Sequence, residues 1–328
     1  MKFESVSQNI IEKTIKAGAT DCDVVLAKGF SKSISYRLGK VEDIEESNGS
    51  TFGIRALIGN KQAFISSSDD DENNIDKLIQ RLIQMTKLAP EDETACLGDP
   101  NLYEKEIKDL NLVQNDPTDT TKLIEMAKQC EESALEIKGI TNSEGSGSSF
   151  SESEFFIANN KGFSGGYRSS TNSISCSVIA GEGQLMERDY DYAVSRHIND
   201  LDSPSEVGKS SAEKAIQRLN PKKIESCKTP VIFDKRISND LISYLASAVS
   251  GNSIARGTSF LKDSLNKQIF SKDINIIDDP KIMKGLGSRP FDGEGLKTSK
   301  KEIVQNGVLK TWLLNTSTAK KLNLKSTG

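Results

Sequence analysis

Histidine is all but missing from this sequence: His197 is the only one among 328 residues. A hydrolytic zinc site needs three protein ligands, an open position for water and a base nearby, and imidazole nitrogen is the usual ligand. Neither H-E-x-x-H nor H-E-x-x-x-H can be written anywhere in the chain. The five cysteines, Cys22, Cys96, Cys130, Cys176 and Cys227, are scattered without a C-x-x-C pair. A site of cysteine and carboxylate ligands is chemically allowed, but no spacing here points to one.

Long apolar runs are lacking as well. No stretch approaches the ~18 apolar residues that span a bilayer, so no membrane partner is expected. The opening MKFESVSQNIIEKTIKAGA has no continuous apolar core of a signal peptide and reads as an amphipathic helix. Separated thiols in odd number fit a reducing compartment, so the expected location is the cytoplasm. Positive charge is not in excess either: 43 Lys and Arg against 47 Asp and Glu give a net charge of -4. That excludes a dedicated nucleic-acid binder, because neutralising phosphates takes clustered cations. The nearest cluster, Lys297, Lys300 and Lys301 beside Glu302, reads as a solvated turn.

What is present is a globular composition, 35% hydrophobic and 27% charged with both signs mixed. The length suits two domains, since single cores stop growing near ~250–300 residues. Glu4 to Ala19 places Val6, Ile10, Ile11 and Ile15 at helical spacing, and Ile75, Leu78, Ile79, Leu82 and Ile83 form a wider stripe that stops before Pro90. That stripe reads as core rather than a partner surface. Cys22–Ala27, Lys32–Leu38, Thr51–Leu57 and Gln62–Ile65 look extended, the last two as a hairpin on Gly59-Asn60. An acidic turn, Asp69 to Glu72, precedes the second helix. After an irregular Pro90–Pro117 connection, Thr118 to Leu135 reads as another long helix. Two long helices on a mixed sheet, an α/β layer within an α+β fold, are expected for residues 1–142.

Ser143–Ser151, rich in Gly and Ser, reads as a linker or an edge strand. Glu154–Ala158, Ser173–Ala180 and Met186–Val194 then suggest an antiparallel meander, followed by a helix from Pro204 capped by Asp202 or Ser203, for residues 143–225. In residues 226–328 the pattern gives a strand at Val231–Phe233, a helix at Ile237–Val249, a strand near Ile274–Ile277 and a hairpin, Glu302–Leu314, on Asn306-Gly307. Thr311-Trp-Leu-Leu314 is strongly apolar for an exposed edge, so something must cover it. The chain therefore reads as cut short at its C-terminus, or as a shortened protein completed by a partner.

Several candidate sites can be weighed on spacing. Gly287-Ser-Arg-Pro-Phe-Asp-Gly-Glu-Gly295 packs glycines, Arg289, Asp292 and Glu294 together. It either presents charge to a peptide or is a turn that Arg289 locks by pairing with a carboxylate. Arg256 is a further substrate or interface candidate. His197 reads as a surface residue and Asp278-Asp279-Pro280 as a turn. Gly208-Lys209-Ser210 lacks the earlier glycine of a phosphate loop, and Gly251–Ala255 is one residue short of a nucleophile elbow.

Gly285–Gly328, together with Val231–Asp234, Gly251, Arg256-Gly-Thr-Ser-Phe-Leu261 and Asp278–Pro280, resembles the C-terminal half of the TldD/PmbA family of two-subunit bacterial metallopeptidases. The match is closest to the PmbA (TldE) type of subunit. In the TldD type, H-E-x-x-x-H precedes a matching Arg-Gly-Thr-Ser; counted back from Arg256, its positions fall on Ile242, Ser243 and Ser247, none of which can serve. The resemblance implies a β-rich second domain and a zinc-free subunit of a heterodimer. It implies no catalytic or metal residue and no cofactor in this chain, zinc in a TldD-like partner, and a peptide or unfolded protein as substrate. Strand addition would be one way to hold such a peptide. A protein-binding regulatory module, in line with the family's description as gyrase modulators, is the alternative. An independent enzyme using Asp or Glu is a third, requiring two carboxylates of divergent pKa.

Overall fold

The computed structural model describes residues 3–69 and 71–328. Met1 and Lys2 of the amphipathic opening, and Asp70 of the acidic turn, lie outside the described residues. Six strands, β1 (Asp21–Arg37), β2 (Lys40–Ile58), β3 (Lys61–Ser67), β4 (Ile140–Asn159), β5 (Ser164–Ala180) and β6 (Glu187–Ser195), form one sheet in the order β3-β2-β1-β4-β5-β6. Every pairing is antiparallel, where a mixed sheet was expected. The α+β class stands.

Four helices cover one face: α1 (Phe3–Lys16), α2 (Glu72–Leu88), α3 (Thr120–Leu135) and α4 (Pro204–Gln217). The α2 stripe does become core, with Ile75, Ile79, Leu82 and Ile83 packed beside Ile10, Val24, Leu26, Phe52 and Ile54. Under α3 and α4, Met126, Cys130 and Ala134 meet Ile174, Cys176, Val178, Ala212 and Ala215. The ends are set by local chemistry. Asp71 and Asp119 accept amide hydrogen bonds at the starts of α2 and α3, and Ser203 with Glu206 makes a reciprocal capping box on α4.

Ser143–Ser151 is neither a linker nor an edge. It lies in β4, between β1 and β5. Its inward hydroxyls are satisfied by α3: Ser146 and Ser148 donate to the carbonyls of Ala127 and Leu123, both at 2.7 Å. Outward hydroxyls meet across strands, as in Ser149 and Ser173 at 2.7 Å. A strand whose alternation is hydroxyl against hydroxyl carries no apolar period for a reader of the sequence to find. The expected division at 142/143 falls inside this strand, and the sheet runs through it.

The remaining third holds α5 (Lys235–Ala248), α6 (Gly251–Ala255), β7 (Ile276–Asp278), β8 (Lys301–Gln305), β9 (Val308–Leu309) and α7 (Thr316–Lys321). Where a β-rich region was expected, these short strands form a three-stranded antiparallel sheet. Val231–Phe233 is not a strand here: no described strand pairs with it, and Ile232 is 95% exposed. The expected hairpin stops at Leu309. Trp312 and Leu313 leave the ladder and pack against a cluster of Leu245, Ala248, Val249, Leu261 and Ile303, so the end of α5 shares in covering this apolar run, and the Leu313 amide donates to the Val249 carbonyl at 2.9 Å. Among the described residues no helix is long and apolar enough to cross a membrane.

Candidate functional site

The Gly285–Gly295 loop is built as a joint. Phe291, 1% exposed, enters an aromatic cluster with Phe163, Tyr167 and Phe155 from the β4–β5 hairpin, with ring centroids 5.1–6.5 Å apart. Gly295 has φ +80, and a Cβ there would lie 2.5 Å from the Phe163 ring, so both backbone and space require glycine. Asp292 accepts the amides of Glu294 and Leu296 at 2.8 and 2.7 Å. Glu294 reaches across to accept the Thr316 amide and hydroxyl at 2.9 and 2.8 Å, fastening the start of α7.

The turn is therefore locked, but not by Arg289. That residue is exposed and makes no ion pair within 4.0 Å among the described residues; its amide donates to the carbonyl of Pro280 at 2.9 Å. A carboxylate can be answered by nearby amides as well as by a guanidinium, and here the backbone is closer. Burial pushes the carboxyls of Asp292 and Glu294 upward, against the amides that hold them, and Asp292 raises Glu294 further. Both move the same way, and both are engaged by the amides and hydroxyl that hold the turn.

Arg256, at the end of α6, lines a cleft of about 860 Å3 with the Glu91–Thr94 segment and Lys320 and Lys321 of α7. The hydroxyls of Thr94 and Ser317, which both line it, meet at 2.7 Å. Thr94 also donates through its hydroxyl and amide to Asp92, which holds that carboxyl below its usual range. Arg256 is thus brought near neither Arg289 nor the carboxylates of the glycine loop by any hydrogen bond or ion pair among the described residues. Its cleft neighbours lie far off in sequence, and no spacing pattern announces them.

On α5, Leu245 and Ala248 face the core while Ile242, Ser243 and Ser247 are exposed, Ile242 by 46%. The Ser243 hydroxyl donates back to the carbonyl of Asn239 at 3.2 Å, an ordinary helix contact. An aliphatic side chain and two neutral hydroxyls do not make a zinc ligand set. Among the described residues, no three His, Cys, Asp or Glu side chains gather into a metal-binding group. A metallopeptidase zinc therefore does not fit these positions.

The other candidates settle into structural places. His197 is half-buried rather than free at the surface, its Nε2 2.9 Å from the carbonyl oxygen of Asn111, which ties β6 to the Pro90–Pro117 connection. Asp279 accepts the Lys281 amide at 3.2 Å, as a turn residue does. Gly208-Lys209-Ser210 lies within α4. Arg236 was not singled out by any pattern, yet it donates to both Asp189 and the carbonyl of Tyr190 at 2.6 Å and lies over the Tyr190 ring. It fastens α5 to the sheet.

Comparison with known proteins agrees along the chain. Residues 22–86, 114–219 and 226–328 match models described as PmbA/TldA metallopeptidase domain 1, central domain and C-terminal domain. The chain is 36% identical over 319 residues to the Metalloprotease PmbA homolog of Haemophilus influenzae, covering 97% of this chain and 70% of that protein. It is 35% identical over 316 residues to Metalloprotease PmbA of Escherichia coli O157:H7, covering 96% and 70%. Among solved structures, a putative modulator of DNA gyrase from Bacteroides thetaiotaomicron matches with TM-score 0.92 and 28% identity, covering 98% of this chain and 74% of that one. TldE from Thermococcus kodakarensis shares the fold, with TM-score 0.81 and 21% identity over 98% and 73% of the two chains. With three family domains in order and such relatives over nearly its whole length, the chain belongs to the PmbA/TldD metallopeptidase family.

Proposed function

We propose that this chain is a metal-free, PmbA/TldE-type subunit that works in the cytoplasm beside a separate TldD-type metallopeptidase subunit. The partner carries the zinc and the general base, and this chain helps hold an unfolded or modified peptide for cleavage. One observation carries the reading: Ile242, Ser243 and Ser247, the positions to which the resemblance assigns the H-E-x-x-x-H of a TldD-type subunit, stand on the exposed side of α5. Neither hydrocarbon nor neutral hydroxyl replaces imidazole and carboxylate. The outward hydroxyls of the sheet, Ser149, Ser173, Ser153 and Ser169, add support, since they stand beside the exposed Tyr192 and Val194 and offer an extended chain mixed polar and apolar contacts.

The test is to purify the chain alone and together with a TldD-type subunit, measure bound metal, and follow cleavage of an unstructured peptide. Zinc and chelator-sensitive cleavage are expected only when the partner is present. Stoichiometric zinc on the lone chain, with hydrolysis abolished by chelation, would sink the reading. The likeness to a putative modulator of DNA gyrase from Bacteroides favours a second reading, a regulatory module that binds a topoisomerase. Co-purification separates the two: a metallopeptidase subunit supports the first and a topoisomerase the second.

A further inference from the structure

Strand β2 is much longer than β3. Their ladder runs only from Ile58–Lys61 to Phe52–Ser67. From Thr51 back to Lys40, β2 keeps β1 on one side, and no described strand pairs with its other side. The amide of Ile44 shows which way this edge points. It is taken by the carboxylate of its neighbour Asp43 at 2.9 Å rather than by β1, so it is directed away from the sheet. Because amides alternate along a strand and the register is unbroken from Ile44 to Ser50, Glu46 and Asn48 turn their amides the same way. Such a row of open donors and acceptors is a template for a further strand.

Two independent features say which strand. Charged residues on an edge normally discourage pairing, but here the charge is of nearly one sign: Glu42, Asp43, Glu45 and Glu46 against Lys40. Arg37 and Lys32 of β1 answer Glu42 and Glu46 at 3.8 and 3.0 Å, while Asp43 and Glu45 have no ion pair within 4.0 Å among the described residues. An acidic strand is repelled, and a basic one gains cross-strand charge pairs. Secondly, the free edge ends at a pocket of about 190 Å3 between α1 and the sheet, lined by Phe3, Val6, Leu26, Ser50, Thr51 and Phe52. A strand placed in line with β3 would direct a side chain at this pocket.

We propose that the Lys40–Thr51 edge of β2 accepts an extended basic polypeptide segment as an added strand, with one apolar side chain seated in the Phe3–Phe52 pocket. Main-chain hydrogen bonds supply the affinity, the acidic edge selects charge, and the pocket sets register. This deepens the peptide-holding role proposed above and rests on it for the occupant's being substrate. It does not need the partner subunit to be observed.

The probe is a fluorescent peptide of roughly a dozen residues, long enough to span the edge at ~3.3 Å per residue. It alternates Lys with Thr and Val and carries one Leu near an end; a control has Glu for Lys. Anisotropy titration of the chain alone is expected to give at least ~10-fold tighter binding of the basic peptide at low salt, the gap narrowing as salt rises. Asn48→Pro removes one outward amide where an edge strand tolerates proline, and is expected to weaken the basic peptide ~10-fold while far-UV CD is unchanged. The double variant Asp43→Lys, Glu45→Lys keeps the test alive if that proline perturbs folding, and it is expected to reverse the preference. Equal binding of both peptides, or an unaffected Asn48→Pro that is correctly folded, overturns the proposal. So does a self-associated chain that Asn48→Pro dissociates, which assigns the edge to a second copy, or loss of the partner subunit from that variant with peptide binding intact. Absence of cleavage with the partner, while the basic peptide still binds here, instead counts against the subunit reading alone.

Discussion

Gly208→Ala in α4 pits two effects of opposite sign against each other. In an exposed helix interior the change stabilises by ~1 kcal/mol, because alanine has the better helix propensity. Here a Cβ would lie 2.0 Å from the carbonyl oxygen of Cys130 in α3, 3.0 Å from its carbonyl carbon and 3.3 Å from the Ala134 nitrogen. All three atoms are backbone, so no rotamer change relieves the contact, and the two helices must part by more than ~1 Å to restore ordinary van der Waals distance. Parting them loosens Met126, Cys130 and Ala134 against Val207, Ala212 and Ala215. Overpacking of this kind costs ~3 kcal/mol at the upper end of its usual range, leaving a net loss of ~2 kcal/mol after the propensity gain. With a urea slope of ~3 kcal/mol/M, the unfolding midpoint followed by far-UV CD falls by ~0.7 M. Gly29→Ala in β1, where nothing lies within 4 Å, serves as the control and should shift little. A midpoint for Gly208→Ala equal to or above that of the parent would refute the close approach of α3 and α4.

Other expectations follow from buried charge. Glu131, 1% exposed, accepts the Leu38 and Gly39 amides and the Ser143 hydroxyl; Glu131→Ala is expected to cost ~3 kcal/mol in the same urea assay, and a loss under ~1 kcal/mol would mean that water replaces these contacts. Arg236→Ala should release the segment before α5, seen as faster tryptic cleavage at Lys222, Lys223 and Lys228 with the six-stranded sheet still folded; unchanged cleavage would show that Arg236 is not the fastener. Burial pushes the carboxyls of Asp189 and Asp191 up, but Arg236, the Tyr190 amide and Arg218 around the first, and Lys214, Ser210 and the Tyr192 amide around the second, together outweigh it and leave both below the usual range. Each therefore contributes stability that is fully present above the ordinary aspartate value near ~4 and is lost as pH falls through the lower folded value. Asp189→Asn should flatten that part of the acid unfolding curve, and a curve of unchanged steepness would remove Asp189 from the cause.

What could be read from the chain depended on how far each signal's partner lay along it. The α2 stripe and the Gly59-Asn60 turn are written within a few residues, and both are found where the pattern puts them; of the two caps read for α4, Asp202 and Ser203, it is Ser203 that caps. The Ser143–Ser151 half of strand β4 was not placed inside the sheet because the hydroxyls on its buried face are stable only when the α3 carbonyls are there to accept. The same holds for the glycine loop. Its turn was legible, but the partner of each carboxylate was not: Asp292 takes amides of its own loop, and Glu294 takes Thr316, 22 residues along the chain, in place of Arg289. For the candidate site the sequence was more direct, since the identities at 242, 243 and 247 already exclude a zinc ligand set. Their exposure on α5 adds a separate constraint. Changing these positions to His, Glu and His would put two imidazoles and a carboxylate on one exposed helix face, still one protein ligand short of the three that a hydrolytic zinc site uses. A triple variant that bound zinc tightly on its own would therefore count against the proposal that a separate subunit supplies the metal.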